Sequence, residues 1–129
     1  MQYHNVLLID DDEDDQEIFV SAAKQVAASV VCNCFDNARD ALQNLIAGIL
    51  RPDVIFLDLN MPGMNGQQFL VEIKKRTHLN LIPVIIFSTA SQSNTIQLMK
   101  SLGAHEFITK PSDYDKLLNI LRPLLAGRL

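Results

Sequence analysis

Residues 53–66 read DVIFLDLNMPGMNG. Its four consecutive apolar residues, 54–57, predict a strand that is buried on both faces. The strand ends abruptly at Asp58, and the turn that follows contains Pro62 and Gly66, which are typical of a loop with a fixed backbone shape. An Asp in this position is either a turn-forming or helix-capping residue or a functional carboxylate, and the rest of the chain decides between these.

A second apolar run shows the same arrangement near the start of the chain. The residues VLLI at 6–9 lead directly into Asp10 and Asp11. Apolar residues with helical spacing follow at 18–26, so the acids at 12–15 occupy a helix start, where the helix dipole favours negative charge. That explanation does not cover Asp10 and Asp11, because they precede the helix. Two strands therefore present carboxylates at the same end.

Strand and helix patterns alternate along the rest of the chain. Short strands are predicted at residues 30–35, 84–87 and 106–109, and apolar residues with helical spacing follow every strand. Five strands that alternate with five helices predict an α/β domain with a doubly wound parallel sheet, covered by helices on both sides. In such sheets, ligands bind at the carboxyl ends of the strands.

Polar residues with capping character precede several predicted helices. The spacing predicts Asn65 as the cap of the third helix and either Ser91 or Ser93 as the cap of the fourth. Ser112, with an acid three residues later, predicts a capping-box-like start for the fifth helix. The core face of that helix runs through the leucines between 117 and 125.

Polar and charged side chains follow four of the five predicted strands: Asp10 and Asp11, Asp58, Ser88, and Lys110. Carboxylates that converge repel one another by roughly 4 kcal/mol at about 4 Å in a medium of intermediate dielectric, so a cation is expected among them. Oxygen ligands without His or Cys select a hard ion, and a small site with open water positions suits Mg²⁺ better than Ca²⁺. Because Mg²⁺ commonly also binds phosphate oxygens, Asp58 is a candidate nucleophile toward phosphorus. Lys110 and Ser88 could then bind the phosphoryl oxygens.

Four motifs at these strand ends resemble those of receiver domains in two-component response regulators, of the single-domain, chemotaxis-type kind. They are IDDD at 9–12, LDLNMP at 57–62, FSTA at 87–90 and FITKP at 107–111. The resemblance runs from residue 6 to about residue 125, nearly the whole chain. It implies a flavodoxin-like sheet with strand order 2-1-3-4-5.

The resemblance also assigns the acceptor and the metal ligands. It implies that Asp58 takes a phosphoryl group from a histidine kinase or a histidine phosphotransfer protein. Asp10, Asp11 and Asp58 would bind Mg²⁺ together with the backbone carbonyl of Asn60. The protein would be no enzyme toward other molecules, because it catalyses only its own phosphorylation and dephosphorylation.

Further residues take their roles from the same resemblance. Lys110 is expected to pair with the phosphoryl oxygens, and its bond to Pro111 is expected to be cis. Ser88 is expected to move toward the phosphoryl group, and Phe107 to turn inward with it as an aromatic switch, whereas Gly66 is structural. The surface of helix four, strand five and helix five would then change and control a partner protein, unless the phosphoryl group is relayed onward.

Length and composition are those of an ordinary globular domain. With 129 residues, 48% hydrophobic and 20% charged, we expect one receiver domain over residues 1–129 with no effector domain, as a monomer or a weak homodimer. No apolar run approaches the roughly 20 residues that span a bilayer, and no basic stripe indicates nucleic acid. We therefore expect a cytoplasmic protein that binds neither membranes nor nucleic acid. Cys32 and Cys34, two positions apart in a strand, are expected to be reduced packing thiols.

Three other functions fit parts of the pattern. A phosphatase of the haloacid dehalogenase type would need a second Asp two residues after Asp58, where Asn60 stands. A flavin carrier would need a hydroxyl- and glycine-rich loop after strand one, where the acids at 10–15 stand. A phosphorylation-independent adaptor with a receiver fold is the main alternative, although such adaptors often lack an acid-pair member, the acceptor or the lysine.

Overall fold

A five-stranded parallel sheet lies between two layers of helices in the computed structural model, which describes residues 3–126. Along the chain, the elements are β1 (Asn5–Ile9), α1 (Glu13–Val26), β2 (Val31–Phe35), α2 (Ala38–Ile46), β3 (Val54–Leu57), α3 (Gly66–Lys74), β4 (Val84–Ser88), α4 (Ser93–Ser101), β5 (Glu106–Thr109) and α5 (Tyr114–Leu121). The sheet order is β2-β1-β3-β4-β5 and every neighbouring pair is parallel, which confirms the predicted doubly wound, flavodoxin-like fold. Within residues 3–126, no helix combines the length and the apolar character needed to cross a membrane.

Alternate residues of the central strands face opposite helix layers. Along β1, Leu7 and Ile9 belong to the core beneath α2, α3 and α4, whereas Val6 and Leu8 belong to the core beneath α1 and α5. The four residues of β3 alternate in the same way, and all of them are 0% exposed. Because helices cover both faces, both faces must be apolar, and this explains the unbroken apolar runs in the sequence.

The register of the sheet determines which strand ends meet. Ile9 pairs with Leu57 across β1 and β3, so Asp10 and Asp58 directly follow paired residues. The backbone N–H of Asp58 also donates a hydrogen bond to the Ile9 carbonyl oxygen at 3.0 Å. The two carboxylates therefore leave the sheet side by side.

A capping box fixes the start of α3, and its N-cap residue is Asn65, as the sequence predicts. The Asn65 side chain accepts a hydrogen bond from the Gln68 backbone N–H, and the Gln68 side chain accepts one from the Asn65 backbone N–H, each at 2.9 Å. These reciprocal bonds satisfy two N–H groups that have no partner within the helix. They hold the turn that connects Asp58 to α3.

The predicted cap of α4 is wrong. The helix begins after Gln92, which makes no side-chain capping hydrogen bond, so neither Ser91 nor Ser93 is the cap. The reason is local, because the side chain of Asn94 accepts a hydrogen bond from the Thr95 backbone N–H at 2.9 Å. One of the free N–H groups in the first turn is thereby satisfied from within the helix.

The last helix differs from the prediction at both ends. Its cap is Asp113, whose carboxylate accepts a first-turn backbone N–H at 2.9 Å, rather than Ser112. After α5 the chain continues as a π-helical turn, Arg122–Ala126. Pro123 explains this change, because it has no N–H to donate to the carbonyl four residues earlier. The turn still buries Leu125, which is 1% exposed.

The edge strand β2 carries the two cysteines. Both are free thiols, as predicted, but only half-buried Cys32 fits the predicted packing role, because Cys34 is exposed. Burial raises the pKa of each thiol above its ordinary value. The reactive thiolate form is therefore scarce at neutral pH.

Candidate functional site

Three carboxylates meet at the carboxyl edge of the sheet. One oxygen each of Asp10, Asp11 and Asp58 lies within 4.8 Å of the other two. Asp10 is 1% exposed and Asp58 is 8% exposed, whereas Asp11 is exposed to solvent. The parallel register thus brings together the acids that the sequence places after β1 and β3.

Lys110 extends into this cluster from the end of β5. Its backbone N–H donates to the Ser88 carbonyl oxygen at 2.8 Å, which ties the strand end to β4. Its ammonium nitrogen, Nζ, lies 2.7 Å from Asp10 Oδ2, 2.9 Å from Asp15 Oδ2 and 3.5 Å from Asp58 Oδ2. The first two contacts are hydrogen bonds. The predicted lysine is therefore in direct contact with the predicted acids.

Burial and charge shift the pKa values of this cluster in definite directions. Burial raises the pKa of Asp10 above its ordinary value, and the hydrogen bonds from Lys110 and from the Asp12 backbone N–H only partly oppose that rise. For Lys110, burial alone would lower the pKa. The hydrogen bonds to Asp10 and Asp15 and the charge of Asp58 outweigh this effect, so the pKa lies above its ordinary value. Lys110 is therefore a permanent positive charge at neutral pH.

Asp15 is a member of the site that sequence reasoning missed. The acids at 12–15 were explained by the helix dipole alone, yet the carboxylate of Asp15 binds Lys110. A signal was present in the sequence, because Phe19 and Ala22 follow Asp15 by four and seven residues and form the buried face of α1. Asp15 occupies that same face, one turn nearer to the edge of the sheet.

The cluster offers only oxygen atoms to a metal ion. Carboxylates of Asp10, Asp11 and Asp58 are hard ligands, and neither His nor Cys belongs to the group. Such a donor set fits a hard divalent ion such as Mg²⁺. Asn60 lies two residues after Asp58, at the exposed start of the turn toward α3.

The predicted switch residues lie beside the acid cluster on the neighbouring strands. Ser88, at the end of β4, is 0% exposed, and its Oγ accepts a hydrogen bond from the Ala90 backbone N–H at 3.4 Å. Phe107, in β5, is half-buried and packs against the core beneath α4, which includes Met99. In this structure the Ser88 hydroxyl is hydrogen-bonded within the loop that follows β4, and the Phe107 side chain is partly exposed to solvent.

Gly66 allows α3 to approach the end of β3 very closely. A Cβ atom added at this position would lie 2.4 Å from the Asp58 carbonyl oxygen and 2.8 Å from the Leu59 Cα atom. The Gly66 backbone N–H donates to the Leu59 carbonyl oxygen at 3.1 Å. Only glycine fits there without a shift of the backbone that carries Asp58.

The expectation of a cis bond between Lys110 and Pro111 is wrong for this structure. Among residues 3–126 every peptide bond is trans, so this one is trans as well. The trans isomer is intrinsically favoured before proline by about 0.5–1 kcal/mol. With the trans bond, Lys110 forms its contacts to Asp10 and Asp15.

Comparison with known families decides the identity of the fold. Residues 6–122 match the response regulator receiver domain. The chain belongs to this family. Accepting a phosphoryl group in two-component signal transduction is the function of receiver domains, and the function predicted from the sequence is confirmed at this level.

Individual relatives of this receiver domain include regulators of different overall length. PilH from Pseudomonas aeruginosa is 39% identical over 77 residues, which cover 60% of this chain and 64% of PilH. The DNA-binding transcriptional regulator NtrC from Escherichia coli K12 is 31% identical over 126 residues, which cover 98% of this chain and 26% of NtrC. The chain thus spans less than two thirds of either curated relative.

Among solved structures, the receiver domain is similar to the phosphorylated cyanobacterial phytochrome response regulator RcpA. The sequence identity is 27% and the TM-score is 0.85. The superposition covers 93% of this chain and 89% of RcpA. The two folds therefore agree over nearly their full lengths.

Proposed function

We propose that Asp58 is the phosphoryl acceptor of this receiver domain. The observation that carries the proposal is the difference between the two buried carboxylates. Asp10 has both oxygens engaged, since Oδ1 accepts the Asp12 backbone N–H at 3.0 Å and Oδ2 accepts Lys110 at 2.7 Å. In Asp58, Oδ1 accepts the Leu59 backbone N–H at 2.8 Å, but Oδ2 lies 3.5 Å from Lys110, beyond the usual length of a charge-assisted hydrogen bond. Of the four oxygens of these two buried carboxylates, Asp58 Oδ2 is therefore the one without a hydrogen bond of normal length, and we propose that it attacks phosphorus.

The reaction is a phosphoryl transfer to a carboxylate. A lone pair of Asp58 Oδ2 attacks phosphorus, and the new O–P bond forms as the bond from phosphorus to the leaving group breaks. The leaving group takes the bonding electrons, and the product is an acyl phosphate on Asp58. Lys110 lies close enough to balance negative charge on the transferred oxygens. We propose a phosphohistidine in a histidine kinase or phosphotransfer protein as the donor.

Asp10, Asp11 and Asp58 fit a Mg²⁺ site, and we propose that the backbone carbonyl of Asn60 completes their ligand set. The support is the group of oxygens within 4.8 Å of one another, all of them hard ligands. When bound, Mg²⁺ supplies positive charge that offsets the carboxylates and the phosphoryl oxygens. The chain's own part is to hold the three acids in place, which it does through the ends of β1 and β3.

The first test is phosphorylation of the unaltered chain by acetyl phosphate. With Mg²⁺, intact-mass spectrometry should show a gain of one phosphoryl group. Borohydride reduction of the acyl phosphate followed by peptide mapping should place the group on Asp58. Removal of the metal with EDTA should slow the reaction at least about tenfold, because the charge that offsets three carboxylates is lost. The proposal would be contradicted if the phosphoryl group were found on another residue, or if EDTA did not change the rate of phosphorylation.

We propose Ser88 and Phe107 as the residues that carry the signal away from Asp58. Ser88 is fully buried, and its carbonyl oxygen is bonded to the Lys110 backbone N–H. Phe107 lies three residues before Lys110 and packs toward α4. We propose that a displacement of Lys110 is transmitted through Ser88 and Phe107 to the surface of α4, β5 and α5. That surface also carries Leu98, an apolar side chain that is 43% exposed and available to a partner protein.

Lys110→Ala should separate metal binding from signalling. The three carboxylates remain in this variant, so divalent-ion affinity is expected to be retained or increased. Without the ammonium group, the phosphoryl group has no link to β5, and amide shifts in α4, β5 and α5 on phosphorylation should be largely lost. The control is Lys116→Ala, an exposed lysine of α5. Equal amide shifts in the Lys110 variant and in the unaltered chain would contradict this role.

A further inference from the structure

Asp15 binds the site lysine from outside the acid pair and the acceptor. It lies in the first turn of α1, and its backbone N–H already donates to the capping residue Asp12 at 3.1 Å. Its carboxylate does not cap the helix start, because the Asp12 backbone N–H donates to Asp10 instead. It accepts a hydrogen bond from Lys110 Nζ at 2.9 Å, while 39% of its side chain stays exposed. This contact joins residues that are 95 positions apart in the chain.

The Lys110 ammonium group lies nearer to Asp10 and Asp15 than to Asp58. An ammonium group has three N–H donors, and Lys110 directs hydrogen bonds to Asp10 and Asp15. Asp58 stands farther away, at 3.5 Å, in an ion pair without a hydrogen bond of normal length. The order of the distances shows that Lys110 is held toward β1 and α1 rather than toward the acceptor.

Asp15 also lines a cleft on the α1 side of Lys110. This cleft of about 390 Å³ lies between α1 and the ends of β4 and β5, and both Asp15 and Lys110 line it. Thr89 and Pro111 line the same cleft. The negative charge of Asp15, 2.9 Å from the Lys110 ammonium nitrogen, also repels the oxygens of a phosphoryl group that approaches that nitrogen.

We infer that Asp15 is a positioning residue that slows phosphoryl transfer by holding Lys110 away from Asp58. The inference rests on the proposed roles of Asp58 and Lys110. Both physical effects act in one direction, because Asp15 engages the ammonium group and also repels the incoming phosphate. Removing its charge should free Lys110 to follow the phosphoryl oxygens.

The test compares Asp15→Asn with Asp14→Asn. Both changes remove one negative charge from the first turn of α1, but Asp14 is exposed and its carboxylate is not among the groups that hold Lys110. With acetyl phosphate below saturation, Asp15→Asn should raise the initial rate of phosphorylation about three- to tenfold, as expected from the loss of one charge-assisted contact. Asp14→Asn should change the rate less than about twofold, because salt screens exposed charges.

Two further measurements separate positioning from a general structural effect. Asp15→Glu retains the charge, so its initial rate of phosphorylation should be close to that of the unaltered chain. The ¹⁵N–¹H signal of the Lys110 ammonium group should be visible in the unaltered chain and in Asp14→Asn, and should broaden in Asp15→Asn because the group is less protected from exchange. If Asp15 had only a structural role, its replacement would not selectively broaden the Lys110 ammonium signal.

The outcomes distinguish the inference from the function on which it rests. If the unaltered chain is not phosphorylated on Asp58, the proposed function fails. If it is phosphorylated there, but Asp15→Asn reacts no faster than Asp14→Asn, only the inference fails. A slower reaction in Asp15→Asn would also overturn it, because Asp15 would then place Lys110 correctly for transfer instead of holding it back.

Discussion

Replacing Asp58 by Asn is expected to reduce phosphorylation by acetyl phosphate to background while the fold is kept. The amide oxygen is neutral and a far weaker nucleophile than a carboxylate, and no buried neighbour can replace it, since both oxygens of Asp10 are engaged. The amide has the same shape as the carboxylate, and its oxygen can still accept the Leu59 backbone N–H. The measurement is intact mass after incubation with acetyl phosphate and Mg²⁺.

The stability of Asp58→Asn should equal or exceed that of the unaltered chain. Asp58 is one of three acids whose oxygens lie within 4.8 Å of one another, so removing its charge relieves repulsion. The loss of its weak ion pair with Lys110 opposes this gain, and we expect a net change within about 1 kcal/mol, measured by thermal unfolding.

The matched control for this variant is Asp53→Asn. Asp53 directly precedes β3 at its opposite end, where its carboxylate accepts the backbone N–H groups of His4 and Asn5 at 2.9 and 2.8 Å. It undergoes the same chemical change far from the acid cluster and should be phosphorylated normally. Labelling of Asp58→Asn to the same extent as Asp53→Asn would refute the assignment of the acceptor.

The sheet and most of the acid cluster were predictable because a few rules cover them. Strands buried on both faces must be apolar throughout, so β1, β3 and β4 were visible as unbroken apolar runs. Parallel strands end at one edge, and this placed Asp10, Asp58 and Lys110 together. The family resemblance added the strand order and the chemistry.

The role of Asp15 was hidden because a local explanation was sufficient. The helix dipole accounts for any acid in the first turn of α1, and within residues 10–15 alone nothing separates Asp15 from Asp14. The one sequence signal is that Phe19 and Ala22 continue the face of Asp15 along the helix. The difference lies in tertiary structure, because Asp15 is on the face of Phe19 and therefore points toward the end of β5.

At the end of α5, the predicted core face continues past the end of the α-helix. The leucine spacing between 117 and 125 predicts one continuous core face, and Leu117, Leu121 and Leu125 are indeed buried. The chain nevertheless changes from an α-helix to a π-helical turn at Arg122–Ala126, where Pro123 removes one N–H donor. The sequence alone does not say that the core face continues through such a break.

Gly66→Ala is expected to destabilise the fold by about 3 kcal/mol, because the added methyl group has no free space. Its nearest neighbours would be the Asp58 carbonyl oxygen at 2.4 Å and the Leu59 Cα atom at 2.8 Å, both of them backbone atoms that cannot rotate away. Either α3 or the end of β3 must shift. Since that backbone carries Asp58, the folded fraction should also be phosphorylated more slowly. Chemical denaturation and the rate with acetyl phosphate measure the two effects.

Gly63→Ala provides the contrast within the same turn. Gly63 has a positive φ of 73°, but an added Cβ would meet no atom within 4 Å. Its cost is the strain of a left-handed backbone alone, about 1–2 kcal/mol, and this strain does not displace the end of β3. The Gly63 variant should therefore lose some stability and keep its phosphorylation rate, whereas the Gly66 variant should lose both. If the two variants were alike in stability and in rate, close packing of α3 against Asp58 would not be what requires glycine at position 66.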